Sequence, residues 1–446
     1  MRSGLILGGG VTGLAAGMAS GFPVFEARKS PGGICSSYYV RAGADHSDRL
    51  DFAPDDGEVF RFEVGGGHWI FSGDPEVLSL IERLSPTRRY TRDAAVYLRN
   101  SGRYVDYPLQ YNLRQLDPEL RRQALEEISR ANGPCGTQKE WLLKHFGATL
   151  CESFFFPFHD RYTAGLYDSI APQDGYKSPV NLAAVAQGAS GPVASAGYNP
   201  TFIYPIDGLD RLIGALADHC DLRRGFFASR IDPQCRSVTF SDGSVSEYET
   251  LICTLPLHKT LEMAGISVDA PADPYTSVLV LNVGAVKGPQ CPSKHWIYVS
   301  DSVNGFHRVG FYSNVDQSFL PTSSRGTGEA VSLYVERAYS GGNRPGESEV
   351  RDYSESVVSE LTDWGYIDRA LVIDPTWIDV AYTWERPGST WKTEALQALE
   401  AHNIIMVGRY ARWIFQGIAD SLKDGCRVGS RYRGVGTALS TESLPG

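Results

Sequence analysis

The sequence predicts an α/β protein, and three observations carry that expectation. An apolar run at Ser3–Leu7 ends in a glycine turn, followed by helix formers and a second apolar run. A stretch read as mainly helical, with an aromatic second half, interrupts the chain from 74 to 200. Four later segments, 277–286, 296–299, 306–313 and 331–338, alternate apolar and polar residues as antiparallel strands do. The chain of 446 residues, 42% hydrophobic, is long enough for two or three domains. The expected division is a discontinuous nucleotide-binding domain (1–73, 201–270 and 400–446), a mainly helical cap (74–200) and an antiparallel β-sheet domain (271–399).

Element by element, Ser3–Leu7 reads as a strand, Leu14–Ser20 as a helix and Phe22–Phe25 as a second strand closing on Glu26. Residues 41–61 are polar and Asp-rich and read as an exposed insertion. Helices are expected at 74–84 and 114–131, then an aromatic, irregular region at 139–190 that contains Phe154-Phe155-Phe156-Pro157-Phe158. Leu209, Leu212, Ile213 and Leu216 share one helical face. Arg230–Leu255 reads as strands about an Asp242-Gly243 turn, and Ile404–Val407 as a buried strand before Gly408-Arg409. Stretches 187–200 and 340–347, rich in Gly, Ser and Pro, read as loops.

A net charge of −10 disfavours nucleic acid and anionic membranes as partners. Eight scattered cysteines lack metal-ligand spacing and read as reduced thiols, so no metal is expected. No signal peptide or apolar span is evident, and a cytoplasmic location is expected.

Gly8, Gly10 and Gly13 form G-x-G-x-x-G between strand and helix. The first permits the tight turn, the second lets backbone approach a pyrophosphate, and the third lets the helix pack on the strand. Val11 and Thr12 open that helix, whose free N–H groups and positive dipole end face the phosphates. Glu26 stands where a carboxylate can accept ribose hydroxyls, with Ala27 after it. The unit is a Rossmann-like dinucleotide site.

The continuation from Glu26 to Gly32-Gly33 resembles the FAD-binding superfamily that includes the amine oxidases and glutathione reductase. That resemblance implies an extended FAD passing Gly32 and Gly33. Tyr204-Pro-Ile-Asp207-Gly208 and Val238–Pro256 resemble further segments of the same superfamily. The fold expected is thus a Rossmann-like FAD domain with a helical insertion and a mixed or antiparallel β-sheet substrate domain.

Six collinear segments resemble the UDP-galactopyranose mutases, chiefly the eukaryotic type: Val64–Ser72 with Gly67 and His68, Asp106–Asn112, His295–Tyr298, Phe306–Asn314, Ser332–Glu336, and Gly408–Phe415. The resemblance implies a flavin-dependent mutase that isomerises the ring of a nucleotide-diphosphate sugar through a reduced-flavin N5–sugar adduct. It implies the reduced flavin as active form and NAD(P)H as electron donor, although the sequence has no second nucleotide fingerprint. It assigns His68, Arg308 and Arg409 to catalysis, Gly67, His68, Gly408, Arg409 and Ser421 to the flavin, and Tyr107, Gln110, Lys177, Tyr298, Arg308, Trp384 and Phe415 to the substrate. Arg308 suits a diphosphate because guanidinium binds phosphate oxygens bidentately. Phe415 stands where the family carries tyrosine, and Ile418–Ser421 and Trp384–Pro387 also depart from the family pattern; these changes imply an altered substrate. Two alternatives remain: an FAD-dependent oxidase or desaturase of the amine-oxidase type acting on a small molecule, and a flavin-binding protein without catalysis. The sequence leaves the oligomeric state open.

Overall fold

The computed structural model describes residues 4–43, 48–98, 101–128, 135–173, 181–193 and 200–432. A five-stranded parallel sheet has the spatial order Ile404–Met406, Thr250–Cys253, Gly4–Leu7, Val24–Glu26, Leu222–Arg224. Three of its strands come from segments hundreds of residues apart, so the nucleotide unit is assembled late in the chain. The Arg230–Leu255 reading resolves into a three-stranded antiparallel sheet and the buried strand Thr250–Cys253.

Two helices define the nucleotide end. The first, Val11–Ser20, is buried on almost every side. The last, Ile418–Ser430, packs against it through Gly425 and Gly429. A Cβ on Gly425 would lie 2.3 Å from the Thr12 carbonyl oxygen, and one on Gly429 would lie 2.4 Å from that of Ala16. Both pairings advance in the same chain direction, so the helices are parallel. Gly425 is seven residues into its helix while Thr12 is one residue into its own, which staggers the two N-termini by about 9 Å at 1.5 Å per residue. Two positive dipole ends therefore point the same way, one beyond the other.

The second large sheet has seven strands in the order Ile367–Thr383, Tyr275–Lys287, Ala330–Ser340, Arg308–Phe311, Trp296–Val299, Ala94–Leu98, Arg103–Asp106. Its pairings are antiparallel except that of Trp296–Val299 with Ala94–Leu98. Side chains alternate across it. Leu279, Leu281, Val309, Phe311, Leu333 and Val335 pack with Val357 and Leu361 of the helix Glu347–Asp363. Val278, Val280, Tyr312 and Tyr334 turn the other way, into the core shared with the nucleotide unit. That inner face carries the candidate site.

Four expectations are corrected. In its described parts the 139–190 region is mainly helical: Gln138–Leu150 continues through a π turn at Cys151–Phe155 into Phe156–Tyr162, and Leu182–Ser190 is a separate helix. Pro157 does not break it because it sits in the first turn, where its missing N–H is not needed. Ala94–Leu98 and Arg103–Asp106, inside the stretch expected to be mainly helical, join the seven-stranded sheet because their apolar residues complete its edge. Among its described residues the insertion at 41–61 is exposed only to about residue 58; Phe60–Glu63 is a buried strand paired with Ser37–Val40. Arg49 also ties the insertion down, donating two hydrogen bonds of 2.8 and 2.9 Å to Asp374. The 114–131 helix is Pro118–Ile128 within the described residues. Among those residues no helix is long and apolar enough to cross a membrane.

Candidate active site

The nucleotide cradle is built by glycines. Gly8 has φ +98°, which a side chain resists, and a Cβ on Gly13 would stand 1.8 Å from the Gly8 carbonyl oxygen. The turn is held by Glu26, whose carboxylate accepts from the N–H groups of Gly9 (2.7 Å) and Arg28 (2.8 Å). Gly32 lies alongside, its N–H donating to the Gly9 carbonyl at 2.8 Å, with Gly33 next to it. Gly10 caps the first helix without any side-chain hydrogen bond, and nothing stands within 4 Å of where its Cβ would be. An uncapped helix N-terminus opening on free space fits a pyrophosphate. The second N-terminus, about 9 Å farther on by the stagger above, fits a dinucleotide lying extended beneath both. Val11 and Thr12 bury their side chains, so the first helix offers backbone there. Ala27 is exposed at the edge, and Ser421 is buried on the last helix.

Gly408 (φ +91°) rests against Thr12, where a Cβ would come within 2.7 Å of the hydroxyl. It delivers Arg409, whose guanidinium donates to the carbonyls of Ala381 (2.9 Å) and Gln416 (3.2 Å) and lies 4.6 Å over the Phe415 ring. Among the described residues Arg409 makes no ion pair with a carboxylate. Trp413 in the same segment has φ +54°, a strained value held by its indole N–H donating to the Trp384 carbonyl at 3.1 Å.

His68 follows the Gly65-Gly66-Gly67 turn. Gly67 sits on the Tyr334 hydroxyl so closely that a Cβ would be 2.0 Å away. Burial, reinforced by the Arg409 charge, lowers the His68 pKa to about 4, so the imidazole is neutral at pH 7. The charges of Glu336 and Arg308 also act on it, and Gly66 of the same turn lies against the Glu336 carboxylate, where a Cβ would be 2.8 Å from Oε1. The folded pKa is depressed below the ordinary 6.5, so stability present above pH 6.5 is lost as pH falls toward 4. The thermal midpoint of the wild type is expected to drop over that window and that of His68→Gln to drop less; parallel curves would contradict the burial of a neutral histidine.

Arg308 is not the free cation the sequence suggests. It stands opposite Glu336 in the sheet register and grips that carboxylate with Nε at 2.9 Å and with a second, shorter bond from its terminal nitrogen. Burial pushes the Glu336 carboxyl up, but Arg308 and His307 more than offset this and hold it at about 2. Tyr298 is the other register neighbour of Arg308, and its ring packs 5.1 Å from that of Tyr107.

The remaining assignments divide. Gln110 is 2% exposed inside the cap, and Trp384 is 5% exposed with its indole N–H donating to Thr276 at 3.3 Å. Both are buried in the walls around the site. Phe415 packs on Arg409. Lys177 lies outside the described residues. Missing from the sequence reading were Glu336 as a site residue and an aromatic wall. Tyr162 packs 4.7 Å from Tyr382 and 5.5 Å from Trp384, and Phe158 packs 5.5 Å from Tyr298. The aromatic run around Phe158 was the available signal.

Residues 16–276 match the family described as flavin containing amine oxidoreductase. The chain belongs to that family. Its cofactor is FAD. Three solved structures share the fold. One is a crystal structure of reduced UDP-galactopyranose mutase (TM-score 0.80, 21% identity, 97% of this chain and 95% of that one). Another is wild-type putrescine oxidase bound to putrescine (0.57, 15%, 96% and 98%). The third is a CLA-producing fatty acid isomerase from P. acnes (0.58, 13%, 97% and 98%). At such identities the likeness is one of fold.

Proposed function

We propose that this flavoenzyme isomerises a nucleotide-diphosphate sugar, in the manner of a UDP-galactopyranose mutase. The observation that carries the reading is the set of groups gathered on the inner sheet face. Arg308, fixed by Glu336, offers its outer edge for phosphate oxygens. Arg409 adds a cation that carbonyl groups hold and that makes no ion pair among the described residues, and the Tyr107–Tyr298 pair forms a surface for a base or sugar. The mutase superposition at TM-score 0.80 supports it further.

Reduced FAD supplies an electron-rich nucleophile for the anomeric carbon. Arg308 and Arg409 hold the diphosphate while it is detached from the sugar, so that it stays to re-form the bond. Neutral His68 can accept or donate a hydrogen bond beside the flavin without placing a positive charge there. The wall of Phe158, Tyr162, Tyr382 and Trp384 excludes water.

The same wall favours a second reading, oxidation of an amine, because tyrosine and tryptophan faces attract an ammonium group. Dithionite-reduced enzyme given UDP-galactofuranose is expected to form the pyranose, and unreduced enzyme is expected to form none. Oxygen consumption with an alkyl amine and no sugar conversion would establish the oxidase instead.

A further inference from the structure

His307 is absent from every role above, yet it lies beside the proposed phosphate site. Phe306 and Val309 both pack into the outer core, so the alternation of side chains slips by one residue between them. His307 and Arg308 consequently lean to the same inner side. Its N–H donates to the Glu336 carbonyl at 2.9 Å, and its Nε2 stands 3.6 Å from Glu336 Oε2. The imidazole is 2% exposed, and among the described residues neither ring nitrogen has a partner at hydrogen-bond distance, Glu336 standing just beyond it. Tyr162 covers it at 5.4 Å and Phe158 at 6.2 Å from the cap helix. The titratable and charged groups facing it are therefore Glu336 and Arg308 from the sheet and Tyr162 from the helix.

A buried imidazole with no partner is costly unless a second state of the site uses it. Arg308 and Glu336 neutralise one another, and burial disfavours the charged form of His307. A diphosphate diester would bring two negative charges to an arginine whose charge is already matched.

We propose that His307 is a positioning residue for the diphosphate: it takes one proton from solvent as the dianion meets Arg308, and as imidazolium it donates from Nε2 to Glu336. Glu336 is then shared between two cations, and Arg308 is left with charge to give the phosphates. The inference rests on the phosphate reading of Arg308 and adds to it a coupling of binding to pH.

The test uses holoenzyme with oxidised flavin and three probes, UDP-galactose, ADP-glucose and GDP-mannose, whose diphosphates do not titrate near neutrality. Calorimetry at pH 7 in buffers of different ionisation enthalpy is expected to show uptake approaching one proton per sugar nucleotide bound. The dissociation constant should weaken toward tenfold per pH unit as pH rises. His307→Gln should bind with no uptake and a flat pH profile. Binding by the wild type without proton uptake, or uptake unchanged in His307→Gln, would overturn the role of His307 and leave the phosphate reading intact. Failure of all three probes to bind would instead remove the phosphate reading, and this inference with it.

Discussion

Gly10→Val is expected to give a stable, nearly colourless protein, whereas Gly13→Ala is expected to lose both flavin and stability. The two glycines belong to one turn but face opposite ways. Among the described residues no atom beyond its own turn stands within 4 Å of a Cβ at Gly10, so a side chain can start there without a clash. It does fill the space at the uncapped end of the first helix. Overpacking of about 1–3 kcal/mol against the pyrophosphate corresponds to a loss of roughly 5- to 160-fold in FAD affinity. At Gly13 the new methyl would meet the Gly8 carbonyl oxygen at 1.8 Å, and strand and helix must separate. Flavin absorbance after reconstitution and thermal melts of the apoproteins separate the two effects. Equal flavin content in Gly10→Val and wild type would mean that the cofactor does not approach this turn.

Arg308→Ala is expected to be the most damaging change on the substrate side, for two independent reasons. It removes the guanidinium from the phosphate site, which should lower kcat/KM by at least ~10²-fold, as loss of a preorganised charge donor does. It also leaves Glu336, 2% exposed, buried beside His307 without its main cation. Breaking a buried pair from one side costs about 3–5 kcal/mol, whereas replacing both partners with apolar residues is often neutral. Arg308→Met combined with Glu336→Leu should therefore melt near the wild type and still fail in turnover. If the double variant keeps activity, the pair is structural only. If Arg308→Ala melts like the wild type, Glu336 is not the buried anion described above.

The turn from Gly8 to Gly13 was legible because its chemistry is local: the spacing, the preceding strand and Glu26 all lie within 26 residues. Arg308, His68 and Arg409 were singled out by motif resemblance, and the charges of both arginines act on His68 in the structure. Glu336 was not, because its role comes from strand register, and no local signal pairs residue 308 with residue 336. The aromatic wall was hidden for a different reason. Phe154–Phe158 has no amphipathic period and contains a proline, and only burial between cap and sheet makes it helical. The 17-residue strand Ile367–Thr383 also escaped notice, since charged residues and Pro375 argue against a strand. It lies at the sheet edge, where proline and charge are tolerated.

The anaerobic flavin spectrum bears most directly on the claim that FAD here faces a diphosphate site. Reduced holoenzyme titrated with UDP-galactose, ADP-glucose or GDP-mannose should show a saturable change with at least one of them. The change should vanish in the Arg308→Met, Glu336→Leu variant. No change with any sugar nucleotide, together with bleaching of the oxidised flavin by an alkyl amine, would contradict the account.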